Sequence, residues 1–584
     1  MAQQVGQLKL VIYGLCGALC VAPLAQAQTA NVAEPIVAGY ARTLPVVAKN
    51  GMVAAQEAVA ARIGVDILKQ GGNAVDAAVA TGLALAVTFP RAGNLGGGGF
   101  MLVHLAAQKK TIAIDYRETA PGAMTKAIFL DETGKFVPAK AQASGLAVGV
   151  PGTVAGLYLA WQKYGSGKFQ FSDLVRPAML LARDGIKVEG DLVLSLEEVK
   201  DRLARYPSSR AIFMHVNGTP LRDGDVFVQP DLATTLYRIF QKGPQGFYEG
   251  ETAERIVAAV RNESGIMNTD DLRDYKAIER DVVRGTYRDR EIVSMPPPSS
   301  GGLHIVQILN MLEGFPIAKS GPNSAQTIHL MAEAMKLAYA DREKCLGDPD
   351  FVKNPVAGLS SKKYATELRK RISPDRATPS KDIKAGDPLA YESDQTTHFS
   401  VIDAQGNAVA NTYTLNFSYG LGLVASGTGV LLNNELDDFA AAPGVPNAFG
   451  LMGGDANAPG PRKRPLSSMS PTMLFRNGEL ELVTGSPGGS RIITTVLQVI
   501  SNVVDHNMNV AEASEAARVH HQLYPDELRI ERGISPDTVK LLEQKGHVVR
   551  EQRVMGSTQT IQRVKGEFQG AADTRQMGTA AVGY

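Results

Sequence analysis

The junction near residue 396 constrains the fold of this chain more than any other sequence feature. Residues 373–395 are rich in proline, lysine and aspartate and poor in apolar side chains, which is typical of a mobile surface segment. Immediately afterwards, residues 397–403 and 408–415 alternate as strands, and the intervening Asp403-Ala-Gln-Gly-Asn407 is typical of a hairpin turn. The sequence therefore predicts a core hairpin that begins, with two threonines, at the end of an exposed connection.

Regular elements are predicted on both sides of this junction. Strands are expected at residues 101–105, 111–116, 472–476 and 479–484. Helices are expected at residues 52–68, 74–89, 153–164, 171–184, 192–203, 231–242, 252–262, 303–312, 327–345 and 492–505. The mixture predicts a layered core of helices and sheets.

The first 27 residues have the pattern of a cleavable secretory signal peptide. Lys9 precedes an apolar run at residues 10–24, and Ala25-Gln-Ala27 follows as a cleavage site. Cleavage after Ala27 removes one lysine and no acidic residue, which leaves 59 basic and 59 acidic side chains. This neutral balance argues against a nucleic-acid partner. The leader pattern predicts an exported, periplasmic or secreted, protein, and the apolar run is too short to predict a membrane span.

Cysteine content limits how the exported chain can be stabilised. Cys16 and Cys20 lie in the leader, so only Cys345 remains and no internal disulfide is possible. A chain of this length must then rely on a large hydrophobic core. A buried or unreactive thiol is the favoured interpretation of Cys345, because no histidine lies near it in the sequence.

Two glycine-rich stretches resemble ligand-binding loops. Residues 96–99 are four glycines, but they precede a strand and match no nucleotide-binding fingerprint, so close backbone packing is the favoured interpretation. Residues 485–490 lie between a predicted strand and a predicted helix, which places backbone N–H groups at a helix N-terminus and predicts an anion site. Residues 296–302 predict a rigid loop.

The two threonines at the start of the hairpin raise a chemical question. A threonine hydroxyl is a weak nucleophile unless a base lies beside it, and a threonine at a chain terminus can use its own α-amine. The pKa of that amine, about 7.7–8.0 when unperturbed, is close to neutral, whereas an internal amide is not basic. A cut before the hairpin would therefore turn Thr396 into an activated nucleophile.

Other residues are also candidate nucleophiles or metal ligands. His398 is a candidate general base, or a metal ligand together with His520 and His521, but the histidine spacing matches no zinc motif. Packing is the favoured role for His520 and His521. Ser486 resembles the serine of a nucleophile elbow only loosely, because it stands one place too early between the glycines.

Seven short motifs occur in order along the chain. They are Asn94-Leu-Gly-Gly-Gly-Gly-Phe100, Asp115-Tyr-Arg-Glu118, Thr396-Thr-His-Phe-Ser-Val401, Thr414-Leu-Asn416, Leu432-Asn-Asn-Glu-Leu-Asp-Asp-Phe439, Arg464-Pro-Leu-Ser-Ser-Met-Ser-Pro471 and Thr484-Gly-Ser-Pro-Gly-Gly-Ser-Arg491. Together they resemble one known family, the γ-glutamyltransferases, also called glutathione hydrolases, of the N-terminal nucleophile hydrolase superfamily. The resemblance runs from about residue 45 to the last residue.

The resemblance implies a precursor that cuts itself between Gln395 and Thr396. A large subunit, residues 28–395, and a small subunit, residues 396–584, would stay together as a heterodimer in one α+β fold, a four-layer αββα sandwich. Thr396 would be the nucleophile of both the self-cut and the turnover, with its freed amine as general base. Thr414 would orient both groups.

The resemblance also implies how a γ-glutamyl group would be held. The α-carboxylate would bind Arg117, whose planar fork suits it, together with the hydroxyl groups of Ser467 and Ser468. The α-ammonium would bind Asp438 with Glu435 and Asn416. The N–H groups of Gly488 and Gly489 would form the oxyanion hole.

The expected activity is γ-glutamyl transfer from glutathione and other γ-glutamyl compounds to water, amino acids or peptides, with no metal or organic cofactor. Residues 443–454 resemble the lid loop of bacterial members, with Phe449 where an aromatic hydroxyl is common. Two rival hypotheses remain: a glutaryl- or cephalosporin-type acylase of the same family, and a periplasmic binding protein without catalysis.

Overall fold

The computed structural model describes residues 43–386, 397–442, 445, 447–448, 451 and 454–584, apart from the side chains of residues 343 and 345. The predicted signal peptide, the predicted cut site at Gln395 and Thr396, and the predicted lid residue Phe449 all lie outside the described residues. The described residues all belong to one compact unit.

Twenty-one strands are found in the described ranges. They are β1 Val46–Ala48, β2 Gly51–Ala55, β3 Gly98–Leu105, β4 Lys110–Tyr116, β5 Ile186–Lys187, β6 Val226–Phe227, β7 Ile278–Arg280, β8 Val283–Tyr287, β9 Arg290–Ser294, β10 Thr397–Asp403, β11 Ala408–Thr414, β12 Val424–Ala425, β13 Val430–Leu431, β14 Thr472–Arg476, β15 Glu479–Thr484, β16 Val519–His520, β17 Leu528–Glu531, β18 Val549–Gln552, β19 Gln559–Val564, β20 Glu567–Ala572 and β21 Ala580–Gly583.

Nineteen α-helices accompany these strands in the same described ranges. They are α1 Ala58–Lys69, α2 Ala74–Thr88, α3 Pro138–Gln142, α4 Thr153–Tyr164, α5 Phe171–Asp184, α6 Asp191–Leu203, α7 Pro207–Phe213, α8 Pro230–Lys242, α9 Gln245–Tyr248, α10 Gly250–Asn262, α11 Thr269–Arg273, α12 Gly301–Leu312, α13 Ile317–Ser320, α14 Ala325–Cys345, α15 Val356–Leu359, α16 Lys362–Arg369, α17 Arg491–Val504, α18 Val510–Glu515 and α19 Pro536–Gln544. None of the helices in the described residues has the length and apolar character needed to cross a membrane.

Two seven-stranded antiparallel sheets form the middle of the molecule. The first has the order β21-β2-β10-β11-β3-β4-β7 and the second β1-β20-β19-β15-β14-β9-β8. The sheets face each other through β10, β11 and β2 against β15, β19 and β20. Helices α1, α2 and α4 cover the outer face of the first sheet, and α12 and α18 cover that of the second. The predicted four-layer αββα sandwich is confirmed.

Strand β10 lies inside the first sheet, between β2 and β11, and every residue in it is buried. Phe399 and Val401 point to the helices on the outer face, whereas Ile402 belongs to the core between the sheets. His398 and Ser400 also face the second sheet, where the Ser400 hydroxyl donates to the Gln559 carbonyl. The hairpin predicted from residues 397–415 is therefore held in a fixed register between two layers.

One sequence prediction is wrong in part. Residues 52–68 were expected to form one helix, but the chain forms β2 first and α1 begins only at Ala58, with Glu57 as its N-cap. All of β2 is buried, so it is apolar on both faces and carries no period-2 signal. A short apolar run of this kind does not distinguish a buried strand from a buried helix.

The described part of the polar segment, residues 373–386, is fastened to the body of the molecule. His329 Nε2 donates to the Ser373 carbonyl over 2.7 Å, and Glu333 accepts the Thr378 N–H over 3.1 Å. Ser380 donates through its N–H and its hydroxyl to Asp526, over 2.9 and 2.6 Å. Mobility of the segment before the cut stays a prediction.

Candidate active site

Thr397, the first described residue after the predicted cut, begins β10. The Thr397 hydroxyl and the His398 N–H both donate to Oε1 of Gln56, the latter over 3.2 Å. Gln56 follows β2 directly and is buried, and its Nε2 donates to Oε1 of Gln576 over 2.5 Å. Gln56 therefore holds the described start of β10, and no sequence motif pointed to it.

Thr414 ends the neighbouring strand. Thr397 pairs with Tyr413 in the β10–β11 register, so Thr414 stands one residue beyond the partner of Thr397. The Thr414 hydroxyl accepts the Asn416 N–H over 2.8 Å, and its carbonyl accepts Nδ2 of Asn94 over 2.8 Å. A Cβ on Gly97 would lie 1.9 Å from that carbonyl, so only glycine permits the contact. The close packing predicted for the four glycines is confirmed.

Arg117 lies at the centre of a fully buried cluster of charges. Its Nη1 donates to Oε1 of Glu435 and its Nη2 to Oδ2 of Asp438. Its Nε donates to the Pro465 carbonyl over 3.1 Å, which brings the arginine to the start of the Ser467-Ser468 segment. The structure thus brings together the side chains expected to hold the carboxylate and the ammonium of one ligand, but it pairs them with each other.

Burial of these acids changes their proton affinity. Loss of hydration raises the pKa of Glu435 to about 7, although Arg117 beside it acts in the opposite direction. Burial also raises the pKa of Asp438 well above its usual range, and the neighbouring negative charge of Glu435 adds to that effect. For Arg117 burial opposes the charged form, but Glu435 and Asp438 more than offset this and raise its pKa. An added cation beside Glu435 and Asp438 would favour the charged forms of both acids.

Unpartnered acceptor oxygens surround this cluster. Among the described residues, Asn416 Oδ1, Glu435 Oε2 and Asp438 Oδ1 are buried without a hydrogen-bond donor. Asn416 adopts a φ of +72°, and its Nδ2 donates to the Asn434 carbonyl over 2.9 Å, which fixes the amide orientation. Buried acceptors without donors are costly, and an ammonium group would satisfy them with its three N–H donors.

Ser467 and Ser468 lie against the loop at residues 296–302. The Ser467 carbonyl accepts the Ser300 N–H over 2.8 Å, and its hydroxyl accepts the Met469 N–H over 3.1 Å. The Ser468 hydroxyl accepts Nη2 of Arg342 over 2.5 Å. Arg342 is a buried residue of α14 that the sequence analysis missed, and no local motif marks it.

Gly488 and Gly489 form the turn before α17, with φ values of +128° and +69°. Neither N–H donates to another residue in the part of the chain that the structure describes. Gly488 and Asn416 line one cavity of about 290 Å³. The candidate oxyanion hole and the candidate ammonium site therefore open onto a common space.

The alternative nucleophiles and ligands have other roles. His398 is fully buried and contacts the hydroxyl groups of Thr412 and Ser400 over 2.9 and 3.0 Å, and burial lowers its pKa to about 3. His520 contacts Thr494 and Gln522, as expected for a packing residue. The Ser486 hydroxyl donates to the Pro487 carbonyl over 2.6 Å and accepts the Ser557 N–H over 3.0 Å. It therefore braces its own turn.

One group of metal-ligand type side chains lies together among the described residues. It consists of His329, Glu333 and His547, and it is not the group of His398, His520 and His521 weighed from the sequence. Lys336 pairs with Glu333 over 2.5 Å and donates to the Thr378 carbonyl over 2.5 Å. The lysine thus supplies a cation, and the group acts as an anchor for residues 373–378.

Comparison with solved structures defines the class. A cephalosporin acylase from Bacillus halodurans superposes with a TM-score of 0.81 at 27% identity, over 94% of this chain and 99% of that chain. A gamma-glutamyltranspeptidase from Helicobacter pylori superposes with a TM-score of 0.56 at 43% identity, over 60% of this chain and 97% of that chain. Together with the αββα layers, these likenesses place the fold among the N-terminal nucleophile hydrolases.

Sequence comparison narrows the class to one family. A relative from Escherichia coli (strain K12), named glutathione hydrolase proenzyme, is 52% identical over 576 residues, which is 98% of each chain. The family model described as gamma-glutamyltranspeptidase matches residues 60–583. The chain belongs to the gamma-glutamyltranspeptidase family and is an enzyme, as its motifs predict.

Proposed function

We propose that the chain is the precursor of an enzyme that transfers the γ-glutamyl group of glutathione and related compounds to water, amino acids or peptides. A cut between Gln395 and Thr396 would give a large subunit, 28–395, and a small subunit, 396–584. Both parts contribute strands to both central sheets, with β10 and β11 lying between β2 and β3. This interleaving supports a heterodimer that stays assembled after the cut. The E. coli relative is itself named a proenzyme.

The observation that carries the proposal is the buried cluster of Arg117, Glu435 and Asp438. A glutamyl group presents one carboxylate and one ammonium on the same carbon. Its carboxylate can replace the two acids as the partner of Arg117. Its ammonium can then replace Arg117 as the cation beside Glu435 and Asp438. The exchange keeps every buried charge paired, which a ligand with only one of the two charges cannot do. Asn416 Oδ1 would accept from the same ammonium, and the Ser467 and Ser468 hydroxyls would donate to the carboxylate.

The reaction would use the new N-terminus. The Thr396 hydroxyl attacks the γ-carbonyl carbon, and its proton passes through the Thr396 α-amine to the departing amine. Thr414 orients the threonine, and the N–H groups of Gly488 and Gly489 stabilise the oxyanion, where one donor contributes about 10²–10³ in rate. Water or an acceptor amine then attacks the ester, releases the γ-glutamyl product and returns a proton to Thr396.

A glutaryl- or cephalosporin-type acylase is the second candidate, because a cephalosporin acylase shares the fold over nearly the whole chain. A glutaryl group has the carboxylate but no ammonium, so it would leave Glu435 and Asp438 without a cation. The acidic pair therefore favours the α-amino substrate. A binding protein without catalysis would remain one uncut chain.

Export to the periplasm or the medium is part of the proposal and is supported by the leader pattern at residues 1–27. Phe449 is proposed to shield the glutamyl site as part of a lid, without the hydrogen bond that an aromatic hydroxyl would add. None of the proposed steps needs a metal or organic cofactor.

Separation of the purified protein on a denaturing gel, with N-terminal sequencing of the smaller fragment, tests the cut. We expect two fragments and a small one that begins Thr-Thr-His. Thr396→Ala should leave one uncut chain that releases no p-nitroaniline from γ-glutamyl-p-nitroanilide. A single band from the unaltered protein, or a fragment that begins elsewhere, would refute the proposed nucleophile.

Donor specificity is tested on the same preparation. We expect γ-glutamyl-p-nitroanilide to be cleaved far faster than glutaryl-p-nitroanilide. The opposite preference in a correctly cut protein would favour the acylase and contradict the ammonium site.

A further inference from the structure

The cavity of about 290 Å³ adjoins the glutamyl cluster only through Asn416. Its lining includes Gly488 and Asn416, but not Arg117, Glu435 or Asp438. If the proposed function holds, on which this inference rests, the cavity is the space that the leaving group vacates and the acceptor enters. Its volume is near the lower end of small-molecule sites, about 300–1,000 Å³, which suits a group the size of a dipeptide.

Three arginines line this cavity, and two of them are already neutralised. Arg91 pairs with Asp191 over 2.7 Å and with Glu198 over 3.5 Å. Arg575 pairs with Glu531 over 2.6 Å and with Asp573 over 3.2 Å. These two arginines therefore form ion pairs within the cavity wall, and their charges are not available for a ligand.

Arg491 differs from both. In the part of the chain that the structure describes, it forms no ion pair and its side chain makes no hydrogen bond, and its Nε is buried without a partner. A partly buried guanidinium without an acceptor is unfavourable, because it has lost water without gaining a hydrogen bond. The cavity thus contains one unbalanced positive charge with unused donors.

The position of Arg491 fits a ligand that reaches out from the reacting carbon. Arg491 is the first residue of α17 and comes two residues after Gly489. Its Cβ lies 3.8 Å from the place that a Cβ on Gly488 would take, so the side chain starts next to the candidate oxyanion hole. The N-terminus of α17 adds partial positive charge at the same place.

We propose that Arg491 binds the terminal carboxylate of the group on the far side of the scissile bond. In glutathione this is the carboxylate of the departing peptide, and in transfer it is the carboxylate of an amino acid or peptide acceptor. A planar guanidinium accommodates a carboxylate through two parallel hydrogen bonds. Arg491 is therefore a specificity-determining residue for acceptors, separate from the groups that hold the donor.

Transfer kinetics with paired acceptors test this role. The donor is γ-glutamyl-p-nitroanilide, whose leaving group has no carboxylate, and the acceptors are glycylglycine and glycylglycinamide. Arg491→Gln should raise the KM of glycylglycine about tenfold, as expected for a partly exposed charged hydrogen bond. The KM of glycylglycinamide and the hydrolysis rate without acceptor should change less than about twofold. Arg491→Lys should recover part of the loss, and Arg532→Gln, on an arginine that is 92% exposed, should change neither KM.

Equal changes for the two acceptors, or no change for either, would overturn the role of Arg491. Loss of the proposed function looks different, because the unaltered protein would then stay uncut or release no p-nitroaniline. Should Arg491→Gln fail to mature, Arg491→Lys still decides the matter. The Arg491→Lys variant should mature, and its KM for glycylglycine should rise a few-fold relative to its KM for glycylglycinamide. If it does not mature, or if the two KM values change equally, the proposal is wrong.

Discussion

The two ends of the site differ in whether their charged side chains already have partners of opposite charge. At the glutamyl end, the side chains of Arg117, Glu435 and Asp438 are each at most 1% exposed, and they pair with one another. At the cavity end, Arg491 is partly exposed and has no acidic partner among the described residues. At the glutamyl end, a ligand must break existing ion pairs and supply both charges itself. At the cavity end, a ligand needs only to supply a negative charge to Arg491.

This difference predicts different selectivity at the two ends. Replacement of a buried ion pair succeeds only for a ligand that supplies both charges in the right places, since an unpaired buried charge costs several kcal/mol. Contact with a partly hydrated guanidinium contributes much less and tolerates many ligand shapes. We therefore expect a strict donor requirement and a permissive acceptor requirement in the same enzyme.

The largest expected effect is that of Arg117→Met. The change removes the carboxylate ligand and leaves two buried acids without their cation, so kcat/KM for γ-glutamyl-p-nitroanilide should fall about 10²–10³-fold, which corresponds to about 3–4 kcal/mol. Arg117→Lys should remain impaired, because an ammonium cannot make the two parallel contacts. The ratio of the two acceptor KM values should stay constant. A fall below tenfold in a correctly cut variant would contradict the assignment of Arg117.

Asp438→Asn should separate the two charges of the donor. The side chain keeps its size but loses the charge that meets the ammonium, so inhibition by L-glutamate should weaken about 10–100-fold. Inhibition by glutarate, which has the carboxylates but no ammonium, should change less than about threefold. The measurement is the inhibition constant of each compound on the cut enzyme. Equal weakening of both inhibitors would mean that Asp438 supports Arg117 and does not bind the ammonium.

Much of this site could be predicted because its residues lie in short motifs with their own chemistry. Motifs in two separate stretches pointed to Arg117 and to Glu435 and Asp438, and the structure brings these residues into contact. The hairpin of β10 and β11 followed from alternation and a turn signal. The motifs could not predict that Arg117 pairs with the two acids when no ligand is bound. This pairing depends on distances between side chains, and only the fold gives those distances.

The residues that were missed act through long-range contacts. Gln56 is 341 positions from Thr397 along the chain, and Arg342 is 126 positions from Ser468. Neither lies in a motif with recognisable chemistry. The misreading of β2 has a related cause, because a strand buried on both faces has no alternation for a sequence to show. Sequence patterns therefore identified the ligand groups, whereas the residues that position them needed the fold.

Ser468→Ala should have a moderate effect at the glutamyl end. The change removes one donor to the carboxylate but leaves Arg117 in place, so the KM of γ-glutamyl-p-nitroanilide should rise about tenfold. Ser470→Ala is a matched control, because this buried hydroxyl donates to the Ser468 carbonyl over 2.7 Å and has no proposed contact with the donor. A similar increase in both variants would show that the segment is only disturbed.

The smallest expected effect is a pH dependence limited to the glutamyl end. Because burial raises the pKa of Glu435 to about 7, its carboxyl is negative above that pH and neutral below it, while the ammonium of L-glutamate is charged throughout. Inhibition by L-glutamate should therefore weaken several-fold between pH 7.5 and about pH 6, with a limit of about tenfold per unit. Glutarate needs no negative partner, and protonation of Glu435 releases Arg117 for it, so its inhibition should hold or improve. In Glu435→Gln the dependence for L-glutamate should flatten. If inhibition by L-glutamate and by glutarate weakened equally, a group other than Glu435 would be responsible for the pH dependence. The contrast between the two ends would then not depend on the charge of Glu435.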